Sequence, residues 1–582
     1  MAIQLSEKIP AKAQLDTMNA NLVKINDTLE KLVESGTSPT DHAAYDAIFQ
    51  GVLDGTNTSH VFEAWAPRAI DAMGEGENRY DVLARFFTML EHVGQHKTYT
   101  LRYYHPDVSS ATEMTPMDDL ADGRSAAQLC TDETTPVADW ADEDPFTWYV
   151  RANALSLADG TMNVLAIEDV DINFDISGEL APVYVFSMAL WKYEHDDGQY
   201  VYKSWRTARA AHYHPYAGDV APDNTHRIMT WHPAFGGGLN SLNGLTSGAG
   251  RKPYNRASGT TGIQAARRTS AYEGLWCDCD TEWLLDMWQL RHWNLENSGI
   301  AEGCTSYNLQ HVVALAEENV KRILVTPAQA ANFLVRSTVM LGSHPSGTNN
   351  DRNTAANYDI LDNVMIDSIE TVTIDGTEYG ALNLDVEETF TVPEGALVST
   401  APWYSGETEY LPVKKDGCTV SLTGGKTPLR VQGVEVLDGA YAIGLDPLYN
   451  FTTNAEEGLD CAVYQCRDSV NLSGSITSNY ELTEAALIGE TSGWKYVKQF
   501  VKNTIGIVFP KVFGGSSTGY FKSAFYVSGE AGVRAPWRFG NMTNGANAGL
   551  ACEASNDTPT YVHWFGRPRL SGSGKKRGEW SE

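Results

Sequence analysis

The sequence predicts an α+β protein of several domains, and three observations lead to that prediction. At 582 residues the chain is too long for one ordinary hydrophobic core. Segments with helical spacing of apolar residues occur beside short runs that alternate apolar and polar residues, as strands do. Residues 366–447 consist largely of short β runs with turn signals. We therefore expect an N-terminal helix, a mixed α/β region, and a C-terminal region interrupted by a small β-sandwich.

The first 40 residues contain a heptad seam. Apolar residues recur at alternating steps of four and three, namely Ala11, Leu15, Met18, Leu22, Ile25, Leu29 and Leu32. An isolated helix of this length is marginal in water, so its apolar stripe needs a partner. We expect residues 1–40 to form a coiled coil that makes the protein a homo-oligomer, with a trimer favoured. A helix that packs on the body of its own chain is the alternative.

Residues 41–222 are predicted to form a mixed α/β domain with β-hairpins. Residues 78–94 (NRYDVLARFFTMLEHVG) have the periodicity of an amphipathic helix, and residues 97–104 (KTYTLRYY) are typical of a strand. Residues 183–205 predict two strands joined by a turn at Asp197 and Gly198.

Two further helices are predicted beyond this domain, at 281–297 (TEWLLDMWQLRHWNLEN) and at 307–324 (YNLQHVVALAEENVKRIL). Helical texture is also expected at 481–487 and 493–503.

The region from 366 to 447 carries Asp375–Gly376 and Asp438–Gly439 pairs, which mark tight turns. It is predicted to be an Ig-like β-sandwich inserted between residues 223–365 and 448–572 of one domain. The last residues, 573–582, are predicted to be a polar, unstructured tail.

Charge and composition exclude several partners. With 43 basic and 74 acidic residues the formal net charge is −31, so the average surface repels a phosphate backbone. We expect no nucleic-acid partner. The chain shows neither a signal-peptide pattern nor about 20 consecutive apolar residues, so we expect synthesis in the cytoplasm and no membrane insertion. Eight scattered cysteines are typical of free thiols.

The best metal-ligand candidates are four histidines, namely His212, His214, His226 and His232. No carboxylate motif accompanies them, and histidines flanked by aromatic residues are more often packing groups, so we favour a structural role. The sequence lacks the usual nucleophile-elbow, zinc-protease, phosphate-loop and calcium-loop patterns. We therefore expect no catalytic residues, no metal and no cofactor.

Three C-terminal segments occur in a specific order: FGGSSTGYFKSAFY (513–526), RAPWRFGNMTNGANAGL (534–550) and GRPRL (566–570). In this order they resemble the C-type-lectin-fold variable domain. That family, to which the major tropism determinant of a bacteriophage belongs, ends many phage adhesins and targets of diversity-generating retroelements. The segments TWHPAF (230–235) and NLENSG (294–299) are similar to text that precedes such domains in gut-phage structural proteins.

The resemblance implies a C-type-lectin-like fold over residues 223–365 and 448–572, with glycine-rich loops as scaffold. Gly540, Gly545, Gly549 and Gly566 match the scaffold. The ligand face it implies consists of Trp537, Phe539, Asn541, Met542, Thr543, Asn544, Ser555, Asn556, Thr560, Tyr561, Val562, His563 and Trp564. Burial in the domain core is an equal alternative for Trp537 and Trp564.

The resemblance further implies a receptor-binding protein of a phage virion, without enzymatic activity. Its partners would be a bacterial surface receptor, protein or glycan, and other virion proteins bound through the N-terminus, and retroelement mutagenesis could diversify its ligand face. A structural head-fibre or tail protein is the alternative. An enzyme, either of the formylglycine-generating oxidase type or a glycan hydrolase, is less expected, because Cys552 lacks a nearby second cysteine and no carboxylate pair stands out. Calcium-dependent sugar binding is not expected, since the EPN, QPD and WND triplets of calcium-binding lectins are absent.

Overall fold

The computed structural model describes residues 58–122, 124–127, 146–411, 424–501, 506–572 and 576–580. The predicted coiled coil lies outside these residues. Within them the protein is a mixed α+β structure, mostly of β-sheets, with five α-helices. The helices are α1 (Thr58–Asp71), α2 (Arg79–Gly94), α3 (Gly259–Thr269), α4 (Asp278–His292) and α5 (Pro327–Ala330).

Nine strands between residues 99 and 233 form two antiparallel sheets. They are β1 (Tyr99–Tyr104), β2 (Thr115–Asp118), β3 (Tyr149–Ser156), β4 (Met162–Ile167), β5 (Val183–Met188), β6 (Trp191–Asp196), β7 (Tyr200–Arg206), β8 (His214–Pro215) and β9 (Met229–Pro233). The first sheet has the order β2-β1-β7-β6-β8 and the second the order β4-β3-β5-β9. Strand β9 is the last strand of the second sheet, although it follows residue 222, where the domain was predicted to end. The sheet therefore crosses the predicted domain boundary.

The predictions for this region are confirmed at α2, β1 and the β6–β7 hairpin. Asn78 caps α2, since its side chain accepts a 2.7 Å hydrogen bond from the Tyr80 amide. At the hairpin, the Asp197 carboxylate accepts from the Tyr200 amide at 2.7 Å, and Gly198 has a φ of 84°. Residues 183–188 form a strand as predicted, but that strand belongs to the other sheet.

Helix α4 confirms the helix predicted at 281–297 in position, but it begins at Asp278 and ends at His292, so residues 293–297 are not helical. Every one of its residues is buried. Two of its four acidic groups pair with lysines of the first sheet: Lys192 pairs with Glu282, and Lys203 Nζ lies 2.5 Å from Asp286 Oδ1. Because buried charges cost free energy unless they are paired, these contacts explain how a charged helix can lie between sheets.

Ten strands follow between residues 237 and 401. They are β10 (Gly237–Leu239), β11 (Leu245–Ser247), β12 (Gln310–Val312), β13 (Glu317–Val320), β14 (Arg322–Val325), β15 (Thr338–Gly342), β16 (Leu361–Ile374), β17 (Thr377–Leu384), β18 (Phe390–Val392) and β19 (Leu397–Ala401). Six of them form one sheet in the order β12-β19-β15-β16-β17-β14.

The predicted helix at 307–324 is wrong. The segment forms β12, β13 and most of β14, which pair with β19, β18 and β17 respectively. Partner strands about 60 to 90 residues later in the chain override the helical spacing of Leu, Val and Ala, as tertiary context commonly does. The predicted start of the inserted sandwich, residue 366, falls inside β16, whose sheet already contains residues 310–312 and 322–325.

The remaining strands build the C-terminal part. They are β20 (Leu429–Val431), β21 (Val434–Val436), β22 (Tyr441–Ile443), β23 (Leu448–Thr453), β24 (Leu459–Gln465), β25 (Glu481–Glu490), β26 (Gly493–Phe500), β27 (Pro510–Phe513), β28 (Ala524–Val527), β29 (Gly532–Arg534), β30 (Trp537–Arg538), β31 (Glu553–Ala554) and β32 (Gly566–Pro568). A seven-stranded sheet has the order β27-β26-β28-β31-β30-β22-β32, and a four-stranded sheet the order β25-β24-β23-β29.

Two predictions fail in this part. Residues 481–487 and 493–500 form strands β25 and β26, not helices. Ala485 and Leu487 are buried between exposed neighbours, so the segment follows a two-residue period. The unstructured tail is also wrong for residues 576–580: Arg577 is buried, and the Trp580 ring lies 5.2 Å from the Trp191 ring.

No helix among the described residues is long and apolar enough to cross a membrane.

Candidate ligand-binding site

The thirteen residues of the predicted ligand face divide by exposure. Six are buried: Trp537, Phe539, Asn541, Met542, Ser555 and Trp564. Seven reach the surface at least in part: Thr543, Asn544, Asn556, Thr560, Tyr561, Val562 and His563. The surface that can meet a ligand is therefore formed mainly by residues 556–563, with Thr543 and Asn544 on the loop that follows β30.

The buried aromatic residues form the support beneath this surface. The Trp537 ring packs 5.7 Å from Tyr441 and 6.3 Å from Phe565, measured between ring centroids. A Cβ on Gly566 would lie 2.4 Å from Trp537 Cη2, so the indole ring occupies the space that a side chain at 566 would need. Met542 and Trp564 belong to a separate apolar cluster with Trp403. These side chains hold the loops from below.

A buried ion network joins α4 to the strands that carry the loops. Arg538 on β30 lies 2.5 Å from Asp278 Oδ1 at the start of α4 and 2.6 Å from Glu553 Oε2 on β31. Burial raises the pKa of Asp278 to about 7 and that of Glu553 to about 8, because desolvation of each carboxylate outweighs the opposite effect of the Arg538 guanidinium. The network fixes β30 and β31 relative to the helix.

These shifts predict a pH-dependent gain in stability for Glu553→Gln. A carboxyl whose pKa rises from 4.5 to about 8 on folding binds a proton more tightly in the folded protein, so it stabilises the fold fully only below about pH 4.5. That contribution is lost as pH rises through about 8. The glutamine variant lacks this loss, so its melting temperature relative to the wild type should rise from pH 5 to about pH 8 and then level off. A difference that stays constant with pH, in thermal unfolding followed by circular dichroism, would contradict the assigned shift.

Residues 556–563, which we call the 556–563 turn, are held by backbone hydrogen bonds. The Tyr561 amide donates to the Thr558 carbonyl at 2.9 Å, and the Thr260 amide donates to the Pro559 carbonyl at 3.1 Å. The Gly566 and Arg256 amides both donate to the His563 carbonyl, at 3.0 and 3.1 Å. The turn is therefore fixed by its own bonds and by the segment around α3.

Exposed apolar groups lie at the apex of this turn. Tyr561 is 42% exposed and Val562 is 47% exposed, and the polar side chains of Asn556 and Thr560 are exposed beside them. The Tyr561 ring lies 5.9 Å from Trp537 and 5.9 Å from His563. An aromatic ring held in this way contributes contact area to a partner at a low entropic cost.

The side-chain amides of Asn541 and Asn544 form hydrogen bonds within their own loop. Asn541 Oδ1 accepts from the Thr543 amide and hydroxyl, each at 2.7 Å, and Asn544 Oδ1 accepts from the Asn541 amide at 2.7 Å. Of this segment, the Thr543 side chain is the exposed one.

Sequence reasoning missed a neighbouring loop at 351–353. Asn353 Oδ1 accepts from the Trp564 amide at 3.0 Å, and the Arg352 guanidinium lies 4.5 Å above the Trp564 ring. Burial lowers the pKa of Arg352 to about 9. The only local signal was the turn-rich text GTNNDRN, which does not reveal a contact across about 210 residues.

The four candidate histidines do not come together. His232 is buried with Nδ1 2.7 Å from Asp280 Oδ1, and it stacks on Trp283 at 3.9 Å. His226 packs against Trp191, and burial lowers its pKa to about 3. His212 and His214 lie nearer the surface. Within the described residues, no group of three His, Cys, Asp or Glu side chains is placed to hold a metal ion.

The C-terminal thiols are buried and weakly acidic. Burial raises the pKa of Cys466 to about 12 and that of Cys552 well above its usual range. Both thiols are therefore protonated at neutral pH and are poor nucleophiles in this state.

Comparison with known proteins adds no relative. No model of a known protein family matches the chain, and no curated protein matches it significantly.

Proposed function

We propose that this protein is a receptor-binding protein of a tailed-phage virion, which contacts a bacterial surface through the 556–563 turn. In this proposal a C-type-lectin-like domain carries the turn, copies of the chain associate through the N-terminal heptads, and the same N-terminal part attaches them to other virion proteins. Binding involves no covalent chemistry. Several copies would convert weak single contacts into firm adsorption by raising the effective concentration of binding sites.

One observation above all supports a binding role: the 556–563 turn exposes Tyr561 and Val562 while its backbone is fixed from below. Exposed apolar side chains on mobile loops lose entropy when they bind, whereas a turn already held by hydrogen bonds loses little. Polar neighbours such as Asn556 and Thr560 can add hydrogen bonds around the apolar centre, which is the usual arrangement of an interface.

We expect the double substitution Tyr561→Ala with Val562→Ala to weaken binding of the purified protein to host cells about 30- to 1,000-fold. The reason is that central apolar contacts of an interface commonly contribute ~1–2 kcal/mol each. Binding would be measured with fluorescently labelled protein and cells of the bacterium in which the phage or prophage replicates. The fold should persist, because both side chains are exposed.

The matched control is Leu482→Ala with Ile488→Ala, which removes two apolar side chains that are 64% and 73% exposed on β25. This control should bind cells as the wild type does. Equal binding by the Tyr561 and Val562 variant would exclude the turn as the receptor contact. Deleting residues 534–570 would be a poorer test, because it also removes the buried Arg538.

A further inference from the structure

A cleft of about 300 Å³ opens beside the loop that follows β30. Its walls come from residues 298–306, 517–522 and 545–548. The volume lies at the lower end of the ~300–1,000 Å³ typical of ligand sites. The cleft shares no lining residue with the 556–563 turn, so it is a separate candidate site.

One buried carboxylate ties the walls of this cleft together. Glu296, which follows α4, accepts from the Leu550 amide at 2.9 Å, from the Ala551 amide at 2.9 Å and from the Ser523 hydroxyl at 2.7 Å. A Cβ on Gly549 would lie 2.3 Å from Ser523 Oγ, so these segments approach too closely for a larger residue. The walls are therefore fixed before a ligand arrives, which lowers the entropic cost of binding.

The wall at Thr305 and Ser306 is fixed by backbone hydrogen bonds. Both amides donate to the Gly425 carbonyl, at 2.9 and 2.8 Å, and the Gly545 amide donates to the Thr305 carbonyl at 2.8 Å. Backbone hydrogen bonds thus join the 305–306 wall to the 545–548 wall.

The chemistry of the lining suits a molecule with many hydroxyl groups. Five hydroxyl side chains line the cleft, on Ser298, Thr305, Ser306, Ser517 and Thr518. A Cβ added to Gly425 would lie 3.2 Å from Glu302 Oε2 and 3.2 Å from Thr305 Oγ1. The Glu302 carboxylate therefore lies close to the Thr305 hydroxyl. Hydroxyls donate and accept hydrogen bonds, and a carboxylate accepts two or more. No aromatic or large aliphatic side chain is among the described residues that line the cleft.

Lys522 adds a positive charge to this lining. Its Nζ donates a long hydrogen bond of 3.4 Å to the Ser298 carbonyl, and it forms no ion pair within the part of the chain that the structure describes. In a chain with a net charge of −31, an ammonium without a carboxylate partner favours a ligand that brings its own negative charge.

We propose that this cleft binds a short saccharide that carries a carboxylate. Lys522 holds the carboxylate, and Glu302 with the Ser and Thr hydroxyls holds the ring hydroxyls. This site goes beyond the proposed receptor contact, and it does not depend on the 556–563 turn or on a role in adsorption.

The test compares two sugars that differ in one group. Methyl glucuronide and methyl glucoside have the same ring, but only the first carries a carboxylate. Each is titrated into the full-length protein by isothermal calorimetry or ligand-observed NMR, with acetate as a third probe. We expect methyl glucuronide to bind at least about 10-fold more tightly than methyl glucoside or acetate, because charge-assisted hydrogen bonds and hydroxyl contacts act together.

Two variants locate the binding. Lys522→Met should weaken the binding of methyl glucuronide at least 10-fold and leave the affinity for methyl glucoside unchanged. Lys511→Met, which replaces an exposed lysine outside the cleft, should change neither affinity. The proposal is overturned by absence of saturable binding, by equal affinity for the two sugars, by acetate binding as tightly as the glucuronide, or by an unchanged Lys522→Met. Because cell adsorption is not measured, failure here leaves the receptor proposal unaffected.

Discussion

Replacing Arg538 by leucine is expected to destabilise the protein by about 3–5 kcal/mol, the range typical for removing one partner of a buried ion pair. The guanidinium is 1% exposed and contacts both Asp278 and Glu553, so its loss leaves two buried carboxyls without a cation. It also removes the 3.0 Å hydrogen bond to the Val508 carbonyl. The melting temperature should fall by roughly 6–20 °C in thermal unfolding, for a domain of ~150–250 residues.

Two variants separate this effect from a general effect of arginine loss. Arg68→Leu, at an exposed position of α1, should shift stability by less than about 0.5 kcal/mol. Arg538→Met combined with Asp278→Leu and Glu553→Leu should recover at least half of the lost melting temperature, because apolar groups replace a complete buried ion network at little cost. A single variant as stable as the wild type would show that the network does not hold β30 and β31 to α4.

Elements with strong local signals were predictable from the sequence. The amphipathic spacing of residues 78–94 predicts α2, and the Asp197–Gly198 pair predicts the hairpin. These signals act over a few residues, so a single sequence contains all of the information. The strands at 310–325 and 481–500 have no comparable local signals. Their conformation is decided by the strands with which they pair, which a single sequence does not identify.

The candidate site was predictable only in part, for the same physical reason. The text from 534 to 564 marks the right region, but a sequence does not say which aromatic side chains face the core. Trp537 is buried because Tyr441, almost 100 residues earlier, packs against it. Arg538 and Asp278 are 260 residues apart in the chain, so their ion pair has no local signature. The cleft beside Lys522 likewise needs three distant segments.

The C-terminal residues 576–580 are also held by contacts with residues that are distant in the sequence. Removing one of these contacts is the second substitution for which we expect a large loss of stability. Arg577→Ala should destabilise the protein by about 3 kcal/mol, because Asp446 is buried and Arg577 is its ion-pair partner. The same guanidinium donates to the Cys466 carbonyl at 2.8 Å, and the Arg577 amide donates to the Arg467 carbonyl at 2.8 Å. The change should lower the melting temperature by roughly 6–12 °C for a domain of ~150–250 residues. It should also speed tryptic cleavage at the C-terminus.

Lys576→Ala is the matched control, since its side chain is exposed in the same segment, and it should leave the melting temperature unchanged. Arg577→Lys should recover only part of the stability, because an ammonium keeps the charge but cannot reproduce the planar set of guanidinium hydrogen bonds. If Arg577→Ala and Lys576→Ala melt together at the wild-type temperature, the terminal segment does not contribute to the fold through Asp446. If lysine restores full stability, charge alone holds the segment, and the hydrogen bonds to the Cys466 carbonyl and to Cys279 contribute nothing measurable.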